Sequence, residues 1–150
     1  MTLAIHAIQP GTMRCYGNHA VFCGAAEVTA QSRHLATLLT VTGDVDAGNV
    51  ESLYERTGCF VLPDTGIVLD LSGVTSFAID GVRMIARIDE ACRRAGIEWA
   101  LVASRAVSDR LARTDTLYPF AASVPEALHG FADRIVNRRR VLLPFLTRTA

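Results

Sequence analysis

The sequence contains no lysine, since all fifteen of its basic residues are arginine. A P-loop, a Schiff-base enzyme and a lysine general base each require a lysine, so these kinds of site are excluded. Four cysteines stand at positions 15, 23, 59 and 92, without a CxxC pair. This spacing is poor evidence for a metal site and favours buried or inert thiols in a reducing compartment.

Long apolar runs and an excess of one charge are also missing. No apolar stretch approaches the ~18 residues that a membrane-spanning helix needs, and residues 1–8 lack the basic start and apolar core of a signal peptide. Basic and acidic residues balance at 15 each, which argues against a general nucleic-acid or anionic-membrane binder. We therefore expect a cytoplasmic protein without a membrane span and without direct contact to nucleic acid.

The composition is that of a folded domain with one core, because 50% of the 150 residues are hydrophobic and 20% are charged. Residues 1–24 have a mixed pattern with two turn dipeptides, so we predict an N-terminal extension with little regular structure there. The globular domain is predicted over 25–137. Residues 138–150 combine a basic run with an apolar hexapeptide and are predicted to be a tail that packs on the domain or on a second copy of the chain.

Hydrophobic periodicity predicts a hairpin followed by alternating helices and strands. Two runs rich in β-forming residues, 26–32 and 35–41, flank a short polar turn and form the hairpin. The predicted elements that follow are a helix at 49–59, a buried strand at 67–71, an amphipathic helix at about 81–95, a strand at 99–103, a helix at 107–113, an edge strand at 120–122 and a helix at 123–137. This order predicts an α/β fold with a mixed sheet.

Helix ends are also predicted from single residues. Asn49 or Asp46 is a candidate N-cap of the first helix, and Gly96 is a natural C-cap of the amphipathic helix. Ser123, followed by Pro125 and Glu126, makes a nearly complete start signal for the last helix.

Three blocks of sequence occur in a characteristic order. The first is LTVTGDVD at residues 39–46, and the second is VLDLSGVT at residues 68–75, which runs into Asp80-Gly81-Val82. The third begins with WALVAS at residues 99–104 and ends with Phe120 and Glu126-Ala-Leu128. Together they resemble the STAS domain, the fold of bacterial anti-sigma factor antagonists. The resemblance covers about residues 25–137.

The resemblance implies a STAS-type mixed β-sheet with an N-terminal hairpin and helices packed mainly on one face. It also implies a non-enzymatic regulatory protein that binds an anti-sigma factor or a regulatory kinase and so controls transcription indirectly. No cofactor and no metal are implied. A homodimer is a further assembly that the sequence leaves open.

The segment after the central strand departs from the family pattern. That pattern looks like D-S-S-G, and its first serine is phosphorylated by an anti-sigma kinase. Counted back from Gly81, it falls on Ala78, Ile79, Asp80 and Gly81, so Ile79 takes the phosphoacceptor position. Because an isoleucine side chain has no oxygen, it cannot receive phosphate. Asp80 supplies a fixed negative charge near the helix start, either as a helix cap or as part of a surface that faces a partner.

The predicted binding face extends beyond this segment. Asp44 and Asp46 form an acidic rim with Asp80 if the two strand ends are adjacent, as the resemblance implies. Such a rim suits the arginines of a partner, whereas three loop carboxylates without fixed spacing are weak evidence for a cation site. Arg83 is predicted to contribute charge, and Met84 an adaptable apolar contact, from the start of the following helix.

Two alternatives remain open from the sequence. The chain is either the regulatory protein described above or a STAS module that binds a nucleotide or lipid, or serves as a subunit of a transport assembly. The basic and apolar tail and the missing acceptor serine favour that second reading. Ser72, Thr75 and Ser76 are further hydroxyls near the segment that another kinase could modify. An enzyme is disfavoured, because no nucleophile–base pair or phosphate loop is visible.

Overall fold

The computed structural model describes residues 19–146, with side chains described through residue 140. Along this range the elements are β1 (Val21–Cys23), β2 (Ala26–Ser32), β3 (Ala36–Val45), α1 (Val50–Gly58), β4 (Gly66–Phe77), α2 (Ile79–Ala95), β5 (Trp99–Ala103), α3 (Arg105–Leu111) and α4 (Val124–Leu146). Most of the predicted N-terminal extension and the last four residues of the predicted tail lie outside the described residues. The expectation of little regular structure is wrong at β1, the described end of that extension.

The five strands form one sheet in the order β1-β2-β3-β4-β5. The first two pairings are antiparallel, so β2 and β3 make the predicted hairpin. The next two pairings are parallel, as expected for strands joined through helices. The predicted α/β fold with a mixed sheet and an N-terminal hairpin is therefore confirmed.

Helices cover the two faces of the sheet unequally. The larger core joins one sheet face to buried residues of α1, α2 and α3, such as Leu53, Ile85 and Val107. The smaller core joins the other face to α4 through Ala127 and Phe131. Three of the four helices thus share one face, as the STAS resemblance implies.

The central strand β4 is longer than the predicted 67–71. It continues to Phe77, whereas its pairing with β5 ends at Leu71 opposite Ala103. Residues 72–77 pair with β3 alone, and two shifts in register interrupt that ladder. Such irregularities are typical of bulges, which bend a strand and redirect its side chains. The end of β4 therefore projects beyond its neighbour β5.

The predicted amphipathic helix is confirmed, but α2 begins two residues earlier than predicted, at Ile79. Gly96 ends it in the left-handed conformation, with φ 67°, as predicted for a C-cap glycine. Gly81 is required by packing, because a Cβ at this position would lie 2.6 Å from ring atoms of Phe77. The segment from the end of β4 into α2 is therefore tightly packed on its inner side.

The start of α4 is confirmed and its end is not. Ser123 Oγ accepts a hydrogen bond from the Glu126 amide at 3.2 Å, and the Glu126 carboxylate accepts one from the Ala122 amide at 2.8 Å. The helix then continues to Leu146, well past the predicted end. The edge strand predicted at 120–122 is wrong, because only a single bridge joins Phe120 to Leu101.

Two of the cysteines confirm the prediction of buried thiols. Cys23 and Cys92 are 7% and 0% exposed. Burial, together with the nearby Asp89 carboxylate, raises the pKa of the Cys92 thiol to about 11. This thiol therefore stays protonated and unreactive at neutral pH. Among the helices of the described range, none has the length and apolar character that crossing a membrane requires.

Candidate partner-binding surface

The carboxyl ends of β3 and β4 lie side by side at one edge of the sheet, with Val45 opposite Phe77. The Ala78 amide donates to the Val45 carbonyl at 2.9 Å, which fixes the chain as it leaves β4. On the other side, Arg110 of α3 donates through Nε to the Phe77 carbonyl at 3.0 Å. Residues 78–81, here called the switch segment, are therefore held between β3 and α3.

Ile79 is the most exposed apolar side chain of the switch segment, with 56% of its surface accessible. Ala78 occupies the N-cap position of α2 and makes no side-chain cap hydrogen bond. Alanine is among the poorer N-cap residues, because it offers no oxygen to the free amides of the first turn. The exposed side chain of Ile79 therefore lies at a helix start that has no side-chain cap.

Asp80 lies in the first turn of α2, after the N-cap residue, so the prediction that it caps the helix is wrong. Its side chain is 33% exposed and lies 3.9 Å from Arg83. A carboxylate in the first turn still interacts favourably with the helix dipole, by about 0.3–1 kcal/mol. The fixed negative charge is therefore present at the surface and outside the core.

Asp44 and Asp46 are both exposed, at the end of β3. Asp44 Oδ1 accepts a hydrogen bond from Thr75 Oγ1 at 2.7 Å. Asp46 Oδ1 accepts one from the Gly48 amide at 2.8 Å, which closes a turn and leaves α1 without a cap from Asp46. The prediction of Asp46 as an N-cap is therefore wrong. Within the described residues, acidic, histidine and cysteine side chains do not form a cluster able to hold a metal ion.

Asn49 has a role that the sequence did not reveal. It stands at the N-cap position of α1 but makes no cap hydrogen bond. Instead, its buried side chain donates to the carbonyls of Cys23 and Asp44 at 3.1 and 2.7 Å and accepts from the Asp46 amide at 2.9 Å. Asn49 therefore joins β1 to the end of β3 and sets the backbone that carries both aspartates. All three partners are backbone groups, and one of them, the Cys23 carbonyl, lies 26 residues away in the chain. The sequence therefore gave no indication of this role.

The two residues predicted at the start of α2 differ in exposure. Arg83 has a side chain that is 78% exposed and remains available to a partner. Met84 is only 3% exposed and lies in the larger core, so its predicted contact with a partner is wrong. Met84 falls on the inward stripe of α2 with Ile88, four residues later.

Arg87 of α2 contacts α1 at the protein surface. Its guanidinium donates to the Glu51 carboxylate at 2.8 Å and lies 3.7 Å from the centre of the Tyr54 ring. The hydrogen bond from Arg87 lowers the pKa of the Glu51 carboxyl. This exposed contact links α2, whose first turn contains the switch segment, to α1 at the surface.

The fold and this edge define a class of protein: a mixed α/β domain with an exposed segment between its central strand and the following helix. The sequence model of the STAS domain matches residues 26–127. The chain belongs to the STAS domain family, as predicted.

Known proteins resemble the chain in sequence or in fold. Osmosensory protein A of Mycobacterium tuberculosis (strain ATCC 25618 / H37Rv) is 42% identical over 140 residues, which cover 89% of each protein. The crystal structure of an anti-sigma factor antagonist from Mycobacterium paratuberculosis is 20% identical, with a TM-score of 0.64, over 72% of this chain and 95% of that one. An antisigma-factor antagonist STAS domain from Rhodobacter sphaeroides is 18% identical, with a TM-score of 0.50, over 59% and 98%. Because both identities are low, the likeness to these two structures establishes the fold of the chain alone.

Proposed function

We propose that this chain is a non-enzymatic STAS regulatory protein, similar to anti-sigma factor antagonists, that binds an anti-sigma factor or regulatory kinase and controls transcription indirectly. The binding surface is the switch segment with Asp44, Asp46 and Arg83. Ile79 at the acceptor position makes binding independent of phosphorylation at that residue.

The observation that carries this proposal is the exposure of Ile79, at 56%, on a segment whose backbone is fixed from both sides. An exposed apolar side chain on a rigid backbone suits burial in a pocket of a partner, since little conformational entropy is lost on binding. In this proposal the carboxylates of Asp44, Asp46 and Asp80, which are exposed or partly exposed, form a charged rim beside it. Such a rim favours a partner with arginine or lysine at the contact.

The side chains of the switch segment support binding without covalent chemistry. They are a methyl group, an isoleucine, a carboxylate and a glycine, and none of these provides a nucleophilic hydroxyl, thiol or amine. The name of the mycobacterial relative, osmosensory protein A, supports a place for this chain in signalling.

The direct test measures binding of the purified chain to each anti-sigma factor encoded in the same genome, by biolayer interferometry. We expect micromolar or tighter binding to one of them. Ile79→Arg should weaken that binding by about tenfold or more, because a buried anchor would become a charge. Leu117→Arg is the matched control, since Leu117 is 97% exposed and lies outside the proposed surface. Failure of every candidate to bind, or equal losses in both variants, would contradict the proposal.

A second variant tests whether the switch segment docks as the family pattern implies. Ile79→Ser should become phosphorylated at position 79 by a bound kinase-type partner with ATP, while the unmodified chain stays unlabelled there. Mass spectrometry locates the phosphate. A variant that binds the kinase normally and gains no phosphate would show that residue 79 lies away from the kinase active site.

A further inference from the structure

A cleft lies beside the switch segment, between the projecting end of β4 and α3. Its volume is about 350 Å³, and its lining residues are Thr75, Ser76, Phe77, Ala106, Asp109, Arg110 and Arg113. It exists because β4 continues past the end of β5. It lies on the α3 side of the switch segment, whereas Asp44 and Asp46 lie at the end of β3 on the other side.

Two arginines of this cleft are uncommitted to any carboxylate of the described chain. Arg110 uses Nε for the Phe77 carbonyl, and its remaining N–H groups form no ion pair within residues 19–140. Arg113 forms no side-chain ion pair in the same range. Many other arginines do have carboxylate partners: Arg83, Arg87, Arg93, Arg94, Arg105, Arg134 and Arg138. The cleft therefore brings together two arginines without carboxylate partners, in a chain of zero formal net charge.

Asp109 is the acidic residue of the cleft, and it opposes the binding of an anion. Its carboxylate lies 4.0 Å from Arg105 Nε, and both side chains are largely exposed, at 72% and 96%. At this distance and exposure the pair is a weak, solvated contact, so the Asp109 carboxylate still subtracts from the charge of the cleft. The two guanidinium groups of Arg110 and Arg113 outnumber this one carboxylate, and the cleft lining is positive on balance.

The hydroxyl groups of the cleft are not equivalent. Thr75 Oγ1 donates to Asp44, on the side away from α3. Ser76 is exposed, and its hydroxyl makes no hydrogen bond to another residue of the described part of the chain. Two guanidinium groups and a free hydroxyl line the same cleft, so they can offer several donors to one ligand. That arrangement suits a tetrahedral oxyanion with two negative charges better than a planar, singly charged carboxylate.

We propose that the cleft between β4 and α3 binds a phosphoryl group through Arg110 and Arg113. The group has two sources, a free phosphate-bearing small molecule or a phosphoryl group on Ser76 itself. In the second case the Ser76 oxygen bonds to the γ-phosphorus of ATP at a protein kinase. The bond from that phosphorus to the bridging oxygen breaks, ADP leaves, and the hydroxyl proton goes to the kinase base. This site is separate from the Ile79 surface and does not depend on the proposed function.

The first experiment follows the arginine Nε–H signals of the full chain by NMR while inorganic phosphate is added. We expect saturable shifts of the Arg110 and Arg113 signals at millimolar phosphate. Arg113→Gln should weaken the binding by about tenfold or more, because a charge-assisted hydrogen bond is lost. Arg113 is the better variant, since Arg110 also supports the backbone at Phe77. Arg33→Gln is the matched control, since Arg33 lies in the β2–β3 turn and its side chain donates to Gln31, far from the cleft.

The second experiment identifies the source of the phosphoryl group. Phosphoserine is incorporated at position 76 during translation, and its phosphorus NMR signal is titrated with pH. If the two arginines bind it, its second ionisation should fall below the ordinary value of about 6 and return towards that value in Arg113→Gln. Added phosphate should then no longer bind, which identifies Ser76 as a competent carrier.

The two experiments together distinguish a free ligand, a phosphoryl group on Ser76 and the absence of a site. Saturable binding of free phosphate with an ordinary ionisation of phosphoserine 76 assigns the cleft to a free ligand. Linear, unsaturable shifts that are the same in Arg113→Gln and Arg33→Gln, together with an ordinary ionisation of phosphoserine 76, overturn the proposal.

Discussion

The two sides of the switch segment are built differently. On the α1 side, polar groups are used within the molecule: Asn49 makes three hydrogen bonds, and Glu51 pairs with Arg87. On the α3 side, Arg110 makes one bond to the backbone and Arg113 makes no ion pair within the described residues. The polar groups named on the α1 side are paired within the molecule, whereas the guanidinium groups on the α3 side remain available to a ligand.

This difference suggests a division of roles along one edge of the sheet. The α1 side sets the position of Asp44, Asp46 and the switch segment through contacts that are lost only if the fold is disturbed. Substitutions there should change stability first. Substitutions on the α3 side should change ligand binding with little effect on stability, because exposed residues with few contacts contribute little to folding.

The largest expected effect is at Asn49, the centre of the α1 side. Asn49→Ala removes the three buried hydrogen bonds that the side chain makes to two carbonyls and one amide, and we expect unfolding to require about 3 kcal/mol less free energy. Urea denaturation followed by circular dichroism measures this. Asn137→Ala, at an exposed position of α4, is the control and should stay within about 0.5 kcal/mol.

A second variant separates hydrogen bonding from volume at the same site. Asn49→Asp keeps the shape but directs a negative oxygen at the carbonyls of Cys23 and Asp44, so it should be at least as destabilising. If Asn49→Asp were as stable as the unmodified chain, the donated hydrogen bonds would not be what holds β1 to β3.

The next effect concerns the inner packing of the switch segment. Gly81→Ala places a Cβ 2.6 Å from the Phe77 ring, which must then move. We expect a loss of about 2 kcal/mol in unfolding free energy from this overpacking. The matched control is Gly58→Ala at the end of α1, where a Cβ meets nothing within 4 Å and should be neutral or slightly stabilising. Equal stability of the two variants would show that Phe77 yields freely.

Much of the fold was predictable because its elements have clear periodicity. The hairpin, α2 with Gly96, and β5 follow from regular spacing of apolar residues and from one glycine cap. The second half of β4 was not predicted, because serine, glycine and threonine at 72–76 read as a loop. These residues form a strand through their pairing with β3 across two shifts in register, and the local sequence does not reveal such pairing.

The candidate site was predictable in position and less so in its contacts. The family pattern located the switch segment and Ile79. It did not reveal Met84 as a core residue, although Met84 stands four residues before the buried Ile88, a spacing that places both on the inward stripe of α2. It also missed Arg110, whose hydrogen bond to Phe77 joins residues 33 apart in the chain. Contacts of that kind depend on how β4 and α3 meet in three dimensions.

The smallest expected effect is a pH dependence on the α1 side, at the pair of Glu51 and Arg87. Because the hydrogen bond from Arg87 lowers the pKa of Glu51 below its ordinary value of 4.5, the folded state holds the charged form more strongly than the unfolded state does. The pair therefore contributes stability above pH 4.5, and that contribution is lost as the pH falls through the lowered pKa. Glu51→Gln removes it, so the unmodified chain should be slightly more stable at pH 7 and equal to the variant in strong acid. Thermal unfolding of both proteins between pH 2.5 and 7 measures the difference, with Glu55→Gln, on the exposed side of the same helix, as the control. A difference between the unmodified chain and Glu51→Gln that stayed constant across this range would mean that the exposed pair is too well solvated to join α1 to α2.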